Sequence, residues 1–243
     1  METQLPFSIL PQPDETTCGP TCLHAVYNYY GDSITLKEVI AQTPTLQEGG
    51  TLAVFLGCHA LSRGYKATIY TYNLQVFDPT WFSDENVDLT QKLIAQASRK
   101  EEPKLKVATQ GYLDFLSQGG VIRLRDLSPS LIRGYLKKAI PIITGLSATY
   151  LHRSARELSP SNEYSDIYGY PSGHFVVLHG YNKAEKTVFV AEPLLPNPIS
   201  SGQYYGIRIE RVICAILLGI LTYDANLLII EKPEGANGKS HNS

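Results

Sequence analysis

The sequence predicts an α+β fold, because helical patterns dominate its first part and strand patterns dominate its last part. Apolar residues recur at helical spacing over residues 19–30, with a proline in the first turn. Two apolar runs at 174–181 and 187–193 are joined by the short segment "NKAEK", which is typical of an antiparallel hairpin. A chain of 243 residues can bury a sizeable core. We expect one domain over residues 1–234, with a helical elaboration at about 81–119.

The N-terminal part is predicted to contain three helices. Pro20 suits a first helical turn, because its missing N–H has no helical partner there, and Gly31 ends that helix. Thr35 followed by Glu38 has the pattern of a capping box and predicts a short second helix. A third helix is expected over about 51–63.

The middle of the chain alternates between strands and helices. Strands are predicted at 65–72 and within 119–127, and two amphipathic helices between them form the elaboration at 81–119. A further helix at about 128–138 starts with a Ser-Pro pair. The run "PIITGLSA" at 141–148 then predicts a buried strand.

The last part is predicted to be rich in strands. A loop at 152–173, rich in Ser, Tyr, Gly and Pro, precedes the hairpin. A late apolar segment at 209–221 and a last strand at 226–232 follow it. The polar residues 235–243 are expected to form a disordered tail.

Composition argues against several classes of function. The net charge of −2 does not provide the basic face that general nucleic-acid binding needs. The longest uncharged apolar run, at 212–221, is too short to span a bilayer. The N-terminus lacks the basic start and long apolar core of a signal peptide. We therefore expect a cytoplasmic protein whose thiols stay reduced.

The stretch "DETTCGPTC" at residues 14–22 places two of the four cysteines four apart. This spacing fits a metal site, a disulfide, two buried thiols or one reactive thiol at a helix start. A reducing compartment disfavours the disulfide, and Cys18, Cys22 and His174 would supply only three zinc ligands, so no metal or cofactor is expected. A helix dipole and free N–H groups stabilise a thiolate, which favours Cys18 as the reactive thiol.

A thiolate nucleophile needs a base, and the base needs an orienting group. His174 opens one strand of the predicted hairpin and Glu192 closes the other. A hairpin centred on Lys183 would set the two residues directly opposite each other, and one centred on Ala184 would set them diagonally. A pairing of the two strands in which paired residue numbers have an odd sum would put the two side chains on different faces of the sheet. The proposed pair therefore requires an even sum.

The oxyanion of an acyl-transfer reaction needs hydrogen-bond donors. Gln12 lies six residues before Cys18, between two prolines that stiffen the segment. Its side-chain amide is predicted to be one donor, and the backbone N–H of Cys18 is the second.

Two stretches of the chain resemble the C39 and C39-like cysteine peptidases, a group with a papain-like fold. The first, "LPQPDETTCGPTCLHAVYNYYG", combines a Gln, a short spacer, Cys-Gly-Pro and a helix that ends near Tyr-Gly. The second, "GHFVVLHGYNKAEKTVFVAEP", has a His-led strand and then a strand that ends in an acid and a proline. The helix and strand over 128–145 also lie where the family has them. The resemblance covers about residues 5–70 and 125–195.

The resemblance implies a fold in which an N-terminal helical part, with the nucleophile at a helix start, packs on an antiparallel sheet. It implies that Cys18 is the nucleophile, His174 the general base and acid, Gln12 the oxyanion donor and Glu192 the orienting acid. The family usually has Asp where this chain has Glu192. Members that trim leader peptides during export carry a transmembrane region and a nucleotide-binding domain. We expect neither in this protein, so the resemblance does not imply that substrate.

Three functions are consistent with these residues. The favoured one is a thiol hydrolase that cleaves a peptide or related amide bond through an acyl-enzyme on Cys18. An acyltransferase or transpeptidase on the same scaffold would replace water by another acceptor. A non-catalytic peptide-binding module would have no need of all four site residues. The other three cysteines, Cys22, Cys58 and Cys214, are expected in the core.

Overall fold

The computed structural model describes residues 2–84, 86–158 and 163–233. The predicted tail at 235–243 lies outside them. The helices are α1 (Cys18–Tyr29), α2 (Leu36–Gln42), α3 (Ala53–Ser62), α4 (Leu89–Ala97), α5 (Pro103–Ser117), α6 (Pro129–Leu136), α7 (Ala148–His152) and α8 (Ile209–Leu218). The strands are β1 (Glu2–Gln4), β2 (Lys66–Thr71), β3 (Val121–Arg123), β4 (Ile142–Ser147), β5 (Glu157–Leu158), β6 (Glu163–Tyr164), β7 (Gly173–Asn182), β8 (Thr187–Ala191), β9 (Tyr204–Arg208) and β10 (Asn226–Glu231). Short 3₁₀ turns occur at Pro79–Phe82 and Gly219–Thr222.

Eight of the described strands form one sheet, in the order β3-β2-β10-β4-β7-β8-β9, and β1 pairs with the end of β7. The pairs are antiparallel except for β2 with β3. The last strand of the chain, β10, lies in the middle of the sheet between β2 and β4. The C-terminal residues therefore complete the sheet that carries the hairpin.

Both faces of the sheet are covered by helices. On β7, Phe175 and Val177 pack into a core on the α1 side, whereas Val176 and Leu178 pack into a second core that includes residues of α6 and α8. The strand β4 is buried at every position, which explains why it is a continuous apolar run. The sequence predicted a helical part on one face of the sheet. The late apolar segment at 209–221 supplies much of the cover on the other face.

Short sequence patterns at the helix ends predicted most of the helix boundaries correctly. The Thr35 side chain accepts a hydrogen bond from the Glu38 N–H, and the Glu38 carboxylate accepts one from the Thr35 N–H, so the predicted capping box is present. Ser128 caps α6 in the same way by accepting from the Leu131 N–H. The segment predicted as a loop at 152–173 also carries the small two-stranded sheet of β5 and β6. Across the described ranges, no helix has both the length and the apolar character that a membrane crossing requires.

Candidate active site

The helix α1 begins at Cys18, and its N-terminus is left open. No side chain caps it and no acidic residue lies in its first turn. The Thr17 hydroxyl, which stands at the cap position, donates instead to the Asp14 carbonyl at 3.1 Å. The first N–H groups of a helix have no intrahelical partner, so they and the helix dipole favour negative charge beside Cys18.

A glycine lets α1 approach its neighbours closely. A Cβ atom on Gly19 would lie 2.6 Å from the Thr51 side chain and 3.3 Å from the ring of Phe175. The Cys22 thiol, one turn further on, donates to the backbone carbonyl of Phe175 at 3.3 Å. These contacts hold the start of α1 against β7, next to His174.

The hairpin of β7 and β8 changes register along its length. Near the turn, Asn182 pairs with Thr187 and Gly180 pairs with Phe189, so the paired residue numbers have an odd sum. A bulge between Leu178 and Gly180 shifts the register, and Val177 then pairs with Ala191. One extra residue in one strand reverses the parity of every pair beyond it.

Beyond the bulge, the strand register is the one that the proposed pair of His174 and Glu192 requires. Continuing the pairing of Val177 with Ala191 sets Glu192 opposite Val176, diagonal to His174 and on the same face. This matches the arrangement expected for a hairpin centred on Ala184. The side chains of Glu192 and His174 are in fact hydrogen-bonded, through Oε1 and Nε2.

The Glu192 carboxylate is fully buried and has four donors around it. In addition to His174, Oε1 accepts from the Leu194 N–H at 3.2 Å. Oε2 lies 3.2 Å from His152 Nε2 and accepts from the Tyr205 hydroxyl at 3.0 Å. A buried carboxylate is tolerated when it is paired and hydrogen-bonded in this way.

The electrostatics of the pair favour an ionised carboxylate and a protonated imidazole. Burial alone would raise the pKa of Glu192, but the His174 charge and hydrogen bonds from His152 and His174 hold it well below its usual range. Burial alone would lower the pKa of His174, but the charges of Glu192 and Cys18, with hydrogen bonds to both, raise it well above its usual value. A carboxylate only accepts, so His174 donates from Nε2 and its other ring nitrogen is left for Cys18.

Gln12 lies beside this cluster and makes two links to its surroundings. Its backbone N–H donates to the Pro193 carbonyl at 2.9 Å, which ties the segment to the end of β8. Its side-chain amide donates to the Asp14 carbonyl at 2.9 Å, and its Oε1 is buried without a hydrogen-bond partner in the described part of the chain. One amide hydrogen of Gln12 remains for another acceptor.

Two cavities meet at His174. One, of about 300 Å³, is lined by Cys18 and by Asp224. The other, of about 380 Å³, is lined by Gln12 and by His152. Cys18 itself is 9% exposed, so its sulfur is reached through the first cavity and not from open solvent. Cys18, His174 and Gln12 thus line the two cavities, and the buried Glu192 is hydrogen-bonded to His174.

Three residues near the site were missed by the sequence analysis. His152 and Tyr205 contact Glu192, and Asp224 lines the Cys18 cavity. They come from the end of α7, from β9 and from the turn before β10, and none lies in a motif. The sheet order brings Tyr205 and Asp224 to the site, because β8 pairs with β9 and β10 lies between β2 and β4. His152 comes from α7, which follows β4 and packs against β7.

The other cysteines differ from the expectation of three core thiols. Cys22 is fully buried, and burial raises its pKa well above the usual value. Cys58 is half-buried, and burial raises its pKa to about 11. Cys214 is exposed, so its assignment to the core was wrong. The helix α8 is apolar but amphipathic, and Cys214 lies on the side that faces away from the sheet.

The metal alternative has no support in the geometry. Within the described ranges, no group of three or more His, Cys, Asp or Glu side chains is arranged to hold a metal ion.

Residues 104–208 match the family model described as the Peptidase_C39 like family. Over these residues the chain is similar to the C39-like peptidases. The matched range contains His174 and Glu192, whereas Cys18 and Gln12 precede it. A comparison with curated proteins returned no match.

Several solved structures are similar to this chain. A C39-like peptidase from Bacillus anthracis matches with a TM-score of 0.52 and 12% identity, covering 96% of this chain and 98% of that one. A double-glycine-motif protease of an AMS/PCAT transporter, solved with a leader peptide, covers 95% of each chain with 14% identity and a TM-score of 0.45. Xylellain, a cysteine protease from Xylella fastidiosa, covers 96% and 86% with 13% identity and a TM-score of 0.44. The first match confirms the predicted α+β fold of this peptidase group.

Proposed function

We propose that this C39-like chain is a thiol hydrolase that cleaves a peptide or related amide bond through an acyl-enzyme on Cys18. The observation that carries the proposal is the buried Glu192 carboxylate bonded to His174 Nε2. It fixes the imidazole so that Nδ1 is the nitrogen left to exchange a proton with the Cys18 thiol.

The reaction follows from these positions. His174 accepts the thiol proton, and the Cys18 sulfur forms a bond to the carbonyl carbon of the substrate. The oxyanion that develops accepts hydrogen bonds from the Cys18 N–H and from the free amide hydrogen of Gln12. His174 then gives its proton to the leaving amine as the carbon–nitrogen bond breaks.

The second half of the reaction uses the same groups. His174 takes a proton from a water molecule, whose oxygen attacks the thioester carbonyl. The carbon–sulfur bond breaks, the acid product leaves and the proton returns to the Cys18 sulfur. Glu192 keeps its negative charge throughout and stabilises the imidazolium that forms in each half. An amine or thiol acceptor in place of water would make the protein an acyltransferase.

The two cavities that share His174 support an extended substrate, because a peptide needs room on both sides of the bond that is cleaved. We therefore assign the acyl part and the leaving part of the substrate to different cavities of this pair. The acidic groups that line the Cys18 cavity make an anionic substrate unfavourable beside the nucleophile.

The test is to trap the acyl-enzyme. The protein is incubated with a mixed peptide library and quenched in acid, and its intact mass is measured together with the peptide products. We expect an adduct on Cys18 and new peptide termini, both lost in Cys18→Ala and retained in Cys214→Ala, the matched exposed-thiol control. Products joined to an added amine would identify the acyltransferase. Neither adduct nor product with any library would leave the peptide-binding module as the remaining function.

A further inference from the structure

The catalytic scheme leaves one buried titratable group of the Cys18 cavity unused. Asp224 is 6% exposed and lies in the turn between α8 and β10. A Cβ atom on Gly173, the residue before His174, would lie 2.2 Å from Asp224 Oδ2. The carboxylate is therefore packed directly behind the start of β7, and it lines the same cavity as Cys18.

In the described part of the chain, only one of the two carboxylate oxygens of Asp224 accepts a hydrogen bond. Its Oδ2 accepts from the Thr222 hydroxyl at 2.6 Å, and its backbone N–H donates to the Gly219 carbonyl at 2.9 Å. Its Oδ1 has no hydrogen-bond partner in the described part of the chain and is not sealed from the cavity. One carboxylate oxygen thus remains open to a donor in the cavity.

The backbone around Asp224 is unusual. Its two neighbours, Tyr223 and Ala225, both have positive φ, 69° and 59°. Such a conformation is costly for residues other than glycine, and it persists only where the surrounding structure enforces it. The turn therefore holds the carboxylate in a defined place.

The cavity around Asp224 is acidic. Glu15, Glu48 and Glu157 also line it, and the described lining residues oppose them with Lys104 and the His174 imidazolium. Lys104 lies 3.4 Å from Glu48 and over the ring of Tyr223, so its charge is already shared. Burial raises the pKa of Asp224 to about 7, against the opposing charges of Lys104 and His174. A buried carboxyl without an ion-pair partner is costly, which makes a purely structural role a poor explanation.

We propose that Asp224 is a specificity-determining residue, which binds a cationic nitrogen group of the substrate in the cavity beside Cys18. The chemistry is that of an ammonium or guanidinium donating to Oδ1 of a buried carboxylate, a strong charge-assisted bond. Two sources offer it: the side chain of a Lys or Arg residue, or the free amino group at a peptide N-terminus. The proposal rests on the proposed peptidase function, but the cavity can be tested without it.

The first experiment measures charge selectivity at Cys18 with methanethiosulfonate reagents of similar size. Each transfers its alkylthio group to the Cys18 thiolate, forming a disulfide and releasing methanesulfinate. Labelling at pH 8 by the trimethylammonium-ethyl and sulfonatoethyl reagents is followed by mass spectrometry of the Cys18 peptide. The ratio of the two rate constants cancels the thiolate fraction.

We expect Asp224→Asn to lower the cation-to-anion ratio at Cys18 by about tenfold, as a lost interaction of about 1.4 kcal/mol would. Glu15→Gln removes one negative charge from the same cavity at an exposed position and should change the ratio by less than half as much. An unchanged ratio in Asp224→Asn, or an equal drop in Glu15→Gln, would overturn the proposal. Asp224→Ser serves if Asp224→Asn does not fold.

The second experiment identifies the source of the cation. Cleavage of peptides with Lys or Arg is compared with cleavage of their Gln and Met counterparts, with free and with acetylated N-termini. If Asp224→Asn loses kcat/KM for Lys and Arg peptides in both forms, the side chain is the ligand. If Asp224→Asn lowers kcat/KM only for peptides with free N-termini, the α-amino group is the ligand. If the variant loses neither, the proposal fails. If the wild type cleaves no peptide, the proposed peptidase function is wrong. The labelling ratio then still shows whether Asp224 binds a cation in the cavity.

Discussion

The Glu192 carboxylate reaches His174 diagonally across the β7–β8 hairpin and not from the directly opposite position. Diagonal neighbours on one face of an antiparallel pair are about 7–8 Å apart, whereas opposite ones are about 5 Å apart. The longer side chain of glutamate spans the greater separation. The same carboxylate also reaches His152 and Tyr205 with its second oxygen. The presence of Glu at position 192, where the peptidases that the chain resembles usually have Asp, thus has a geometric reason.

Shortening this side chain should therefore be harmful. We expect Glu192→Asp to lower kcat/KM by about 10²-fold, because a displacement of about 1 Å in a catalytic group costs that much. Glu192→Gln keeps the length but loses the charge, and should lower kcat and also slow Cys18 alkylation. Tyr205→Phe, which removes only one donor to Oε2, is the control and should cost far less. An active Glu192→Asp enzyme would show that the extra methylene is not needed.

The four thiols should differ sharply in reactivity. At pH 6, we expect iodoacetamide to label Cys18 first, because the raised pKa of His174 keeps an imidazolium beside it. Cys22 should stay unlabelled while the protein is folded, and Cys58 should lag, since burial raises the pKa of both thiols. His174→Ala should slow labelling of Cys18 and leave exposed Cys214 unchanged. Peptide mapping by mass spectrometry measures all four, and equal labelling would reject an activated nucleophile.

Gln12 should act on turnover and not on the thiolate. Removing one oxyanion donor typically costs about 10²–10³ in kcat, so Gln12→Ala should lose that much with little change in KM. Alkylation of Cys18 should be nearly unchanged, because attack on an alkyl halide forms no oxyanion. Steady-state kinetics and labelling rates on the same preparation separate the two effects. Slower alkylation in Gln12→Ala would mean that this residue supports the thiolate or the local fold instead.

Asp224 should reduce the stability of the protein in a pH-dependent way. Its pKa is about 7 in the folded protein against 3.8 for an ordinary Asp, so the folded state binds the proton more tightly. The stability associated with protonated Asp224 is complete below the unfolded pKa and is lost as pH rises through 7. Asp224→Asn does not titrate, so its gain in unfolding free energy over wild type should grow between pH 5 and 7, by up to about 1.4 kcal/mol per pH unit.

Urea unfolding of both proteins at pH 5 and pH 8 measures this gain. Asp32→Asn is the control, for which we expect the opposite effect on stability. Burial opposes the change there, but the hydrogen bonds from Arg63 lower the pKa of Asp32, so removing this carboxylate should destabilise the protein at both pH values. A gain for Asp224→Asn that is the same at pH 5 and pH 8 would contradict the raised pKa of Asp224.

The sequence by itself determined those features that depend on neighbours along the chain. The helix start at Cys18, the capping box of Thr35 and Glu38, and the buried strand β4 all follow from local spacing, because their hydrogen bonds or apolar patterns involve residues a few positions apart. The pattern around Gln12 and Cys18, with the one around His174, was also sufficient to indicate the peptidase fold.

Only the tertiary structure decided which side chains surround His174. The face of Glu192 depended on a bulge at Leu178–Gly180, and no local pattern marks where an extra residue enters a strand. His152 reaches the site because helix α7, which follows β4 directly, packs against β7. Asp224 reaches it because the turn before β10 packs against β4 and β7, which are distant from it in the chain. Such contacts arise from the burial of a shared core and not from local spacing. The residues of the proposed site were therefore identifiable from the sequence, whereas the contacts that hold Glu192 and the acidic lining of the Cys18 cavity were not.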